Sequence, residues 1–359
     1  SLEYRQLLAV TASIEGPSVV SRGQEATFTL RGTDTASGGS SAPLTWFVDW
    51  NGDSVPEELV RGVGSAQVTH AFTGSGAETF RVTAFNASAV SSPVVTHTVS
   101  IESFRVEVDP QNSSVRNLIW LGTGGNDAVQ FTRVGGQVSI IESRVNGTAT
   151  NTRQSFANIN GYIFADAGAG DDVVSAAGLG VTLIAFGGDG NDQLTGGDLA
   201  DHLDGGAGND VLISGNGADL VLGGTGSDIL AGQLDDDLLR GGDGRDVVIG
   251  GRGADNLTGD KDSDLVVGGW TTYTDQIAVD IPALIAIRNE WLSSRSYTQR
   301  IANLNDTGTP TRSNGDSYLR RGREVMVDDA VDAISGNAGT DWFLTNASNR
   351  REGATFLPA

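Results

Sequence analysis

Between Gly187 and Val267 an aliphatic residue recurs every nine positions without interruption: Leu194, Leu203, Leu212, Val221, Leu230, Leu239, Val248, Leu257 and Val266. Most of the positions between them are polar or glycine. A fixed period of this length indicates stacked coils, in which each unit buries its apolar residue only against its neighbours. Two nonapeptides make an eighteen-residue coil. Positions one to six are expected to form a turn and positions seven to nine a very short strand, with the eighth side chain directed into a narrow core.

Other stretches carry different periods. From Ala9 to Ser103, short alternating runs such as Thr27–Leu30, Thr45–Val48 and Phe80–Phe85 end in Gly, Pro, Asn or Ser clusters. They predict an all-β sandwich. Asn51-Gly52, after a strand ending at Trp50, reads as a tight turn. In the last ninety residues the period breaks. Asp280-Ile281-Pro282 followed by Ala283–Leu292 predicts a capped helix with Leu284, Ile287 and Trp291 on one face. A second short helix is expected over Ser296–Leu304, ended by the polar loop Asn305–Ser317.

The polar positions then sharpen the picture. Each aliphatic residue follows an aspartate by two: Asp192, Asp201, Asp210, Asp219, Asp228, Asp237, Asp246, Asp255 and Asp264. Single echoes occur at Asp127, Asp172 and Asp341. The chain carries 45 Asp plus Glu against 23 Lys plus Arg, a net charge of -22. More than half of this excess lies in the nine repeats, which repels nucleic acid and attracts multivalent cations. With no cysteine, disulfides and thiolate metal sites are excluded. No apolar run approaches the ~20 residues that span a bilayer. The chain opens at Ser1 without an initiating Met or signal peptide, so its natural start is expected upstream.

Coil stacking places aspartates eighteen residues apart over one another. Asp192, Asp210, Asp228, Asp246 and Asp264 form one side, and Asp201, Asp219, Asp237 and Asp255 the other. Carboxylates stacked at about 4.8 Å repel unless a cation separates them. Two carboxylates plus turn carbonyls supply the hard oxygen ligands that Ca2+ takes at about 2.3–2.6 Å, whereas Mg2+ demands a stricter octahedron. Glycines at positions two and four, Gly188, Gly190, Gly206, Gly208, Gly224, Gly226, Gly242 and Gly244, permit left-handed turns and bring carbonyls together. The other side is eroded: Leu199, Ser214, Gln233 and Asp235 replace turn glycines, and a left-handed Leu costs roughly 1–2 kcal/mol. The tightest sites are therefore expected on the first side, with those at Asp201 and Asp237 weak or absent. The full array would hold up to seven ions.

This nonapeptide resembles the repeats-in-toxin family, whose parallel β-roll binds Ca2+ in its turns. The residues Trp46–Asp53, Val68–Phe72, Phe80–Phe85 and Val94–Ile101 resemble immunoglobulin-like domains of the polycystic-kidney-disease type. Leu2–Ala9 looks like a motif near the N-terminus of long secreted bacterial surface proteins. The resulting division is a leader at 1–8, a sandwich at 9–103, and degenerate repeats with a strand-rich insertion at 115–186. The β-roll follows at 187–269, and a helix-containing cap with a terminal repeat closed by Trp342 and Phe343 at 270–359.

Asp49, Asn51 and Asp53 could hold a further calcium or simply shape a turn. His70, His97 and His202 are scattered, as single packing or surface histidines are. Trp270, Trp291 and Trp342 fit core roles or carbohydrate stacking. The chain has no H-E-x-x-H and no G-x-S-x-G. The sequence thus reads as a non-enzymatic, extracellular or cell-surface calcium-binding protein whose folding is coupled to Ca2+. Adhesion to, or scaffolding of, envelope polysaccharide or protein is its expected role. The alternative is an accessory module of a secreted hydrolase or carbohydrate-modifying enzyme.

Overall fold

The computed structural model describes residues 10–35, 43–274, 279–307, 317–320, 323–326, 330–345 and 350–352. The Leu2–Ala9 motif, most of the Asn305–Ser317 loop and the last seven residues lie outside them. The chain divides into two units, Ser1–Arg105 and Val106–Ala359.

In the first unit, alternation along eight strands sends one face of each inward. The strands are β1 (Val10–Glu15), β2 (Val19–Ser21), β3 (Glu25–Asp34), β4 (Pro43–Asp49), β5 (Glu58–Val63), β6 (Ser65–Ala71), β7 (Gly76–Phe85) and β8 (Val95–Glu102). They join in the order β1-β3-β6-β5-β4-β7-β8-β2. The pairings are antiparallel except β2 with β8. β5 and β6 are paired at Val63 and Ser65 alone, so the chain folds over there into an immunoglobulin-like sandwich. Phe28, Trp46, Phe72 and Phe80 are fully buried at its centre. The tight turn expected at Asn51-Gly52 is a longer loop, since β4 ends at Asp49 and β5 begins at Glu58. Asp49 explains the difference: its carboxylate accepts the N–H groups of Gly52 and Ser54 at 2.7 and 2.8 Å and holds the loop open.

The second unit is a solenoid of two ten-stranded sheets. One sheet contains β9 (Phe104–Val108), β10 (Arg116–Thr123), β14 (Tyr162–Gly168), β16 (Thr182–Asp189), β18 (His202–Ala207), β20 (Leu220–Thr225), β22 (Leu238–Asp243), β24 (Asn256–Asp260), β28 (Ala333–Ser335) and β30 (Arg350–Glu352). The other begins with an antiparallel meander, β11 (Ala128–Val134), β12 (Gln137–Val145) and β13 (Thr148–Phe156). It continues in parallel through β15 (Val173–Ser175), β17 (Gln193–Thr195), β19 (Val211–Asn216), β21 (Ile229–Leu234), β23 (Val247–Arg252), β25 (Leu265–Val267) and β29 (Trp342–Leu344). All nine eighth-position side chains are fully buried between the sheets.

The strands of the central coils exceed the expected three residues. β18 to β23 each cover six, running from position seven through position three of the next repeat. Glycine adds its own backbone to the ladder, as in the Gly206↔Gly224 and Gly224↔Gly242 pairs.

Two helices follow the array: α1 (Ile281–Leu292), capped by Asp280 accepting the Ala283 N–H at 3.0 Å, and α2 (Tyr297–Leu304), which Ser296 and Gln299 cap reciprocally. A two-stranded ribbon, β26 (Trp270–Thr271) with β27 (Val325–Met326), lies in the same region. Leu284, Ile287, Trp291 and Leu304 join one apolar cluster with Val211, Ile213, Ile229, Ala231, Val247, Ile249, Leu265 and Val267. Those eight are the outward positions seven and nine of β19, β21, β23 and β25. The helices therefore cover the flank of one sheet, while β28 and β29 stack on the end as a last coil.

Candidate metal centre

Glycine makes the turns in two ways. At positions two and four, φ is +103° and +137° at Gly188 and Gly190, +97° and +136° at Gly206 and Gly208, +109° and +132° at Gly224 and Gly226, and +111° and +127° at Gly242 and Gly244. A side chain there would also collide with the coil beneath: a β-carbon on Gly208 would strike the Gly190 carbonyl, and one on Gly226 that of Gly208. Where glycine is missing, the backbone mostly keeps the same path. Gln233, Asp235, Asp260 and Asp262 hold φ of +81°, +72°, +77° and +68°.

Leu199 is the exception and corrects the expectation of a left-handed leucine. Neither it nor Gly197 adopts a positive φ. The turn rearranges instead, with the Asp198 N–H bonded to the Leu179 carbonyl and the Gly197 N–H to Asp201 Oδ2. A different turn costs less than a leucine held left-handed.

The aspartates stand in two hydrogen-bonded columns. In the first, the backbone N–H of each aspartate donates to Oδ1 of the aspartate one coil on, at 2.6–2.9 Å. This column runs Asp127, Asp172, Asp192, Asp210, Asp228, Asp246, Asp264, Asp341. In the second, Leu183 donates to Asp201, and Asp201, Asp219, Asp237, Asp255 and Asp332 follow at 2.7–3.2 Å. None of these aspartates is more than 5 % exposed. The first column absorbs the isolated echoes at Asp127, Asp172 and Asp341. Asp332 was not singled out in the sequence, yet it lies nine residues before Asp341 and two before Ile334, in the same aspartate–aliphatic spacing.

Oδ1 is thus satisfied throughout, but the second oxygen is not. Oδ2 of Asp172, Asp192, Asp210, Asp219, Asp228, Asp237, Asp246 and Asp264 is buried with no hydrogen-bond partner. The space beside it is defined by the glycine at position one. A β-carbon on Gly205 would strike both Asp210 Oδ2 and the Gly223 carbonyl, and one on Gly223 both Asp228 Oδ2 and the Gly241 carbonyl. Gly187, Gly232 and Gly241 repeat the arrangement with Asp192, Asp237 and Asp246. These five turns each direct a bare carboxylate oxygen and a carbonyl from the next coil toward one point, whereas Ala167 and Ser214 take position one in the repeats of Asp172 and Asp219. Oxygen alone, partly anionic and kept clear of side chains, is the donor set of a hard divalent cation.

Electrostatics agree. Burial pushes the carboxyls up from the usual range, neighbouring aspartates add to this at most positions, and the N–H donated to each Oδ1 opposes it. Asp192, Asp201 and Asp341 rise to about 6. Asp172, Asp210, Asp219, Asp228 and Asp246 rise to about 7, and Asp237 and Asp264 to about 9. These columns need a proton or a cation to be at ease.

Asp201 and Asp127 differ from the rest, because their Oδ2 atoms accept backbone N–H groups from Gly197 and Thr123. Asp237 keeps the turn geometry of its neighbours despite Gln233 and Asp235.

Asp49, Asp53 and Glu57 come together, with oxygens within 4.8 Å of one another. Asp49 and Glu57 accept backbone N–H groups of the loop, Asp53 accepts that of Val55, and Asn51 accepts that of Asp53. His70 stacks on Trp50 with centroids 4.4 Å apart, His97 meets the Pro17 carbonyl, and His202 packs on Phe186. Trp291 and Trp342 are buried and stack on each other, and Trp270 lies beneath Arg252.

Comparison with known proteins bears on both units. A family profile for the RTX calcium-binding nonapeptide repeat matches residues 186–221, 222–257 and 240–271. No curated protein matches the chain. Among solved structures, a PKD domain of an M14-like peptidase from a Thermoplasmatales archaeon is similar at 19 % identity and a TM-score of 0.22, over 25 % of this chain and 92 % of that one. The CARDB domain of a Pyrococcus furiosus protein, solved in complex with di-metal ions, is similar at 18 % identity and a TM-score of 0.22, over 26 % and 93 %.

Proposed function

We propose, for a chain whose residues 186–271 are RTX calcium-binding nonapeptide repeats, that calcium completes the solenoid and that its binding stabilises and extends the stacking of the coils. The observation that carries this is the row of buried, unpartnered Oδ2 atoms, five of which, on Asp192, Asp210, Asp228, Asp237 and Asp246, face a carbonyl of the next coil across a glycine. The five steps from Asp172 to Asp264 in the first column each join two unpartnered Oδ2 atoms, and these would hold the principal ions, together with Asp237 in the second. Calcium, when bound, supplies the positive charge these carboxylates need. The chain's own part is to hold Oδ1 in the ladder and leave Oδ2 facing the glycine.

The protein acts outside the cell or on its surface, without catalysis, in adhesion or envelope scaffolding. What supports this is the dependence of the fold on a cation plentiful there, with extracellular calcium modules binding at about 0.1–1 mM, and a charge of -22. Polysaccharide or protein of the envelope is the expected partner. The test begins with chelated protein, into which calcium is titrated while circular dichroism and calorimetry follow β content and stoichiometry. A cooperative gain of β structure with several ions bound per chain is expected. Unchanged β content up to ~10 mM calcium, well above that affinity range, would overturn the reading.

A further inference from the structure

Helix α1 places one guanidinium on the first aspartate column. Nη1 of Arg288 donates to the carbonyl of Asn209 at 3.2 Å and to that of Ser227 at 3.1 Å. These residues immediately precede Asp210 and Asp228, in successive coils. Arg288 therefore spans one step of the column and attaches the helix to both coils at once. Its Nε is buried without a hydrogen-bond partner. The helix holds it there by contacts further along: Trp291 Nε1 donates to the Ser263 carbonyl at 2.7 Å, and Arg245 donates to the Trp291 carbonyl at 3.4 Å.

We infer that Arg288 is a built-in counter-ion for the Asp210–Asp228 step, keeping these two coils and α1 stacked without calcium and making this step the weakest calcium site of the first column. The inference rests on the calcium reading above for its second half only. A cation held beside two carboxylates offsets their mutual repulsion without filling the space between Oδ2 and glycine, so it stabilises the stack and repels an incoming divalent ion. Other steps of the column have no comparable cation donating to both of their turns among the described residues. This step differs from them in its neighbouring charge, while its glycines are intact.

The test compares full-length wild type with Arg288→Gln, which keeps a shorter, uncharged polar side chain, and Arg288→Lys, which keeps the charge. Hydrogen exchange in chelator reads the amides of residues 205–231 and α1. Protection there is expected in wild type, to persist in the lysine variant, and to fall at least about tenfold in the glutamine variant, as loss of a charged contact in a half-buried site would give. Calorimetric calcium titration is expected to show one step tightening about three- to tenfold in Arg288→Gln, with the other steps unmoved. Equal exchange in all three proteins overturns the counter-ion. Equal isotherms overturn its effect on calcium. Should no protein bind calcium at all, the proposed function falls, and the exchange comparison still decides whether Arg288 holds the coils.

Discussion

Asp228 meets two demands with one side chain. Its Oδ1 takes the Asp210 N–H at 2.8 Å and carries the ladder, while its Oδ2 remains buried and bare beside the Gly241 carbonyl. The two roles separate in Asp228→Asn. The amide keeps the acceptor, loses the charge and offers N–H to a carbonyl. In chelator this variant is expected to melt about 2–4 °C higher than wild type, the shift about 1 kcal/mol makes in a unit of this size. Calorimetry in calcium is expected to count at least one ion fewer. A lower melting point in chelator would mean that the charge is not what strains the calcium-free column. The turn glycines allow a second pair of measurements. Gly208, at +136° and against the Gly190 carbonyl, should tolerate nothing larger: Gly208→Ala is expected to cost about 3 kcal/mol or more in urea unfolding with calcium present. Asp262→Gly should act in the opposite sense. It relieves a left-handed aspartate and removes a charge that pushes on Asp246 and Asp264, for a gain of about 1 kcal/mol.

At the scale of elements, the sheet flank beneath the helices explains what the sequence concealed. The nine-residue period marks the inward column, and this was plain in the chain. An eighteen-residue period is also present, because positions seven and nine are apolar in alternate repeats: Val211 and Ile213, Ile229 and Ala231, Val247 and Ile249, Leu265 and Val267. Of the four intervening repeats, two carry His202 and Asp204 or Asn256 and Thr258 there, one carries Leu238 and Arg240, and only Leu220 and Leu222 are apolar at both positions. Taken together, these residues announce a sheet buried on both faces and hence a covering element, which α1 and α2 supply. Helix α1 itself was legible from its cap and from Leu284, Ile287 and Trp291, but where it docks is a tertiary fact that no local period encodes. The extent of the strands escaped for a related reason. Glycine, frequent at positions one and two, has low strand propensity, and only pairing with the same positions in the next coil extends β18 to β23. Since Trp291 is fully buried over this flank and bonded to Ser263, Trp291→Ala is expected to cost about 3–5 kcal/mol in chemical unfolding of the calcium-loaded protein. Loss of less than about 1 kcal/mol would show that the helices add little to the coils they cover.

For the whole molecule, the buried carboxyls decide how stability varies with conditions, and pH tests this directly. The column carboxyls titrate higher in the calcium-free fold than in the unfolded chain, from the ordinary value of 3.8 up to about 6 to 9. A raised carboxyl binds more protons folded than unfolded, so its contribution is greatest at low pH and is lost as pH rises. Most of that loss falls between about pH 4 and 7, and Asp237 and Asp264 extend it to about 9. Calcium replaces the protons and cancels the dependence, because the loaded carboxylates stay ionised throughout. The sandwich, with its own core around Phe28, Trp46 and Phe80 and no aspartate column, supplies an internal reference. Calorimetric scans are therefore expected to resolve two transitions. In chelator the solenoid transition should move down in temperature from pH 5 to pH 9, and in millimolar calcium it should rise and lie nearly flat, while the sandwich transition should move much less with either variable. A solenoid transition that climbs with pH in chelator would mean that the aspartates are stabilised as anions by the protein itself, leaving calcium with no charge to neutralise.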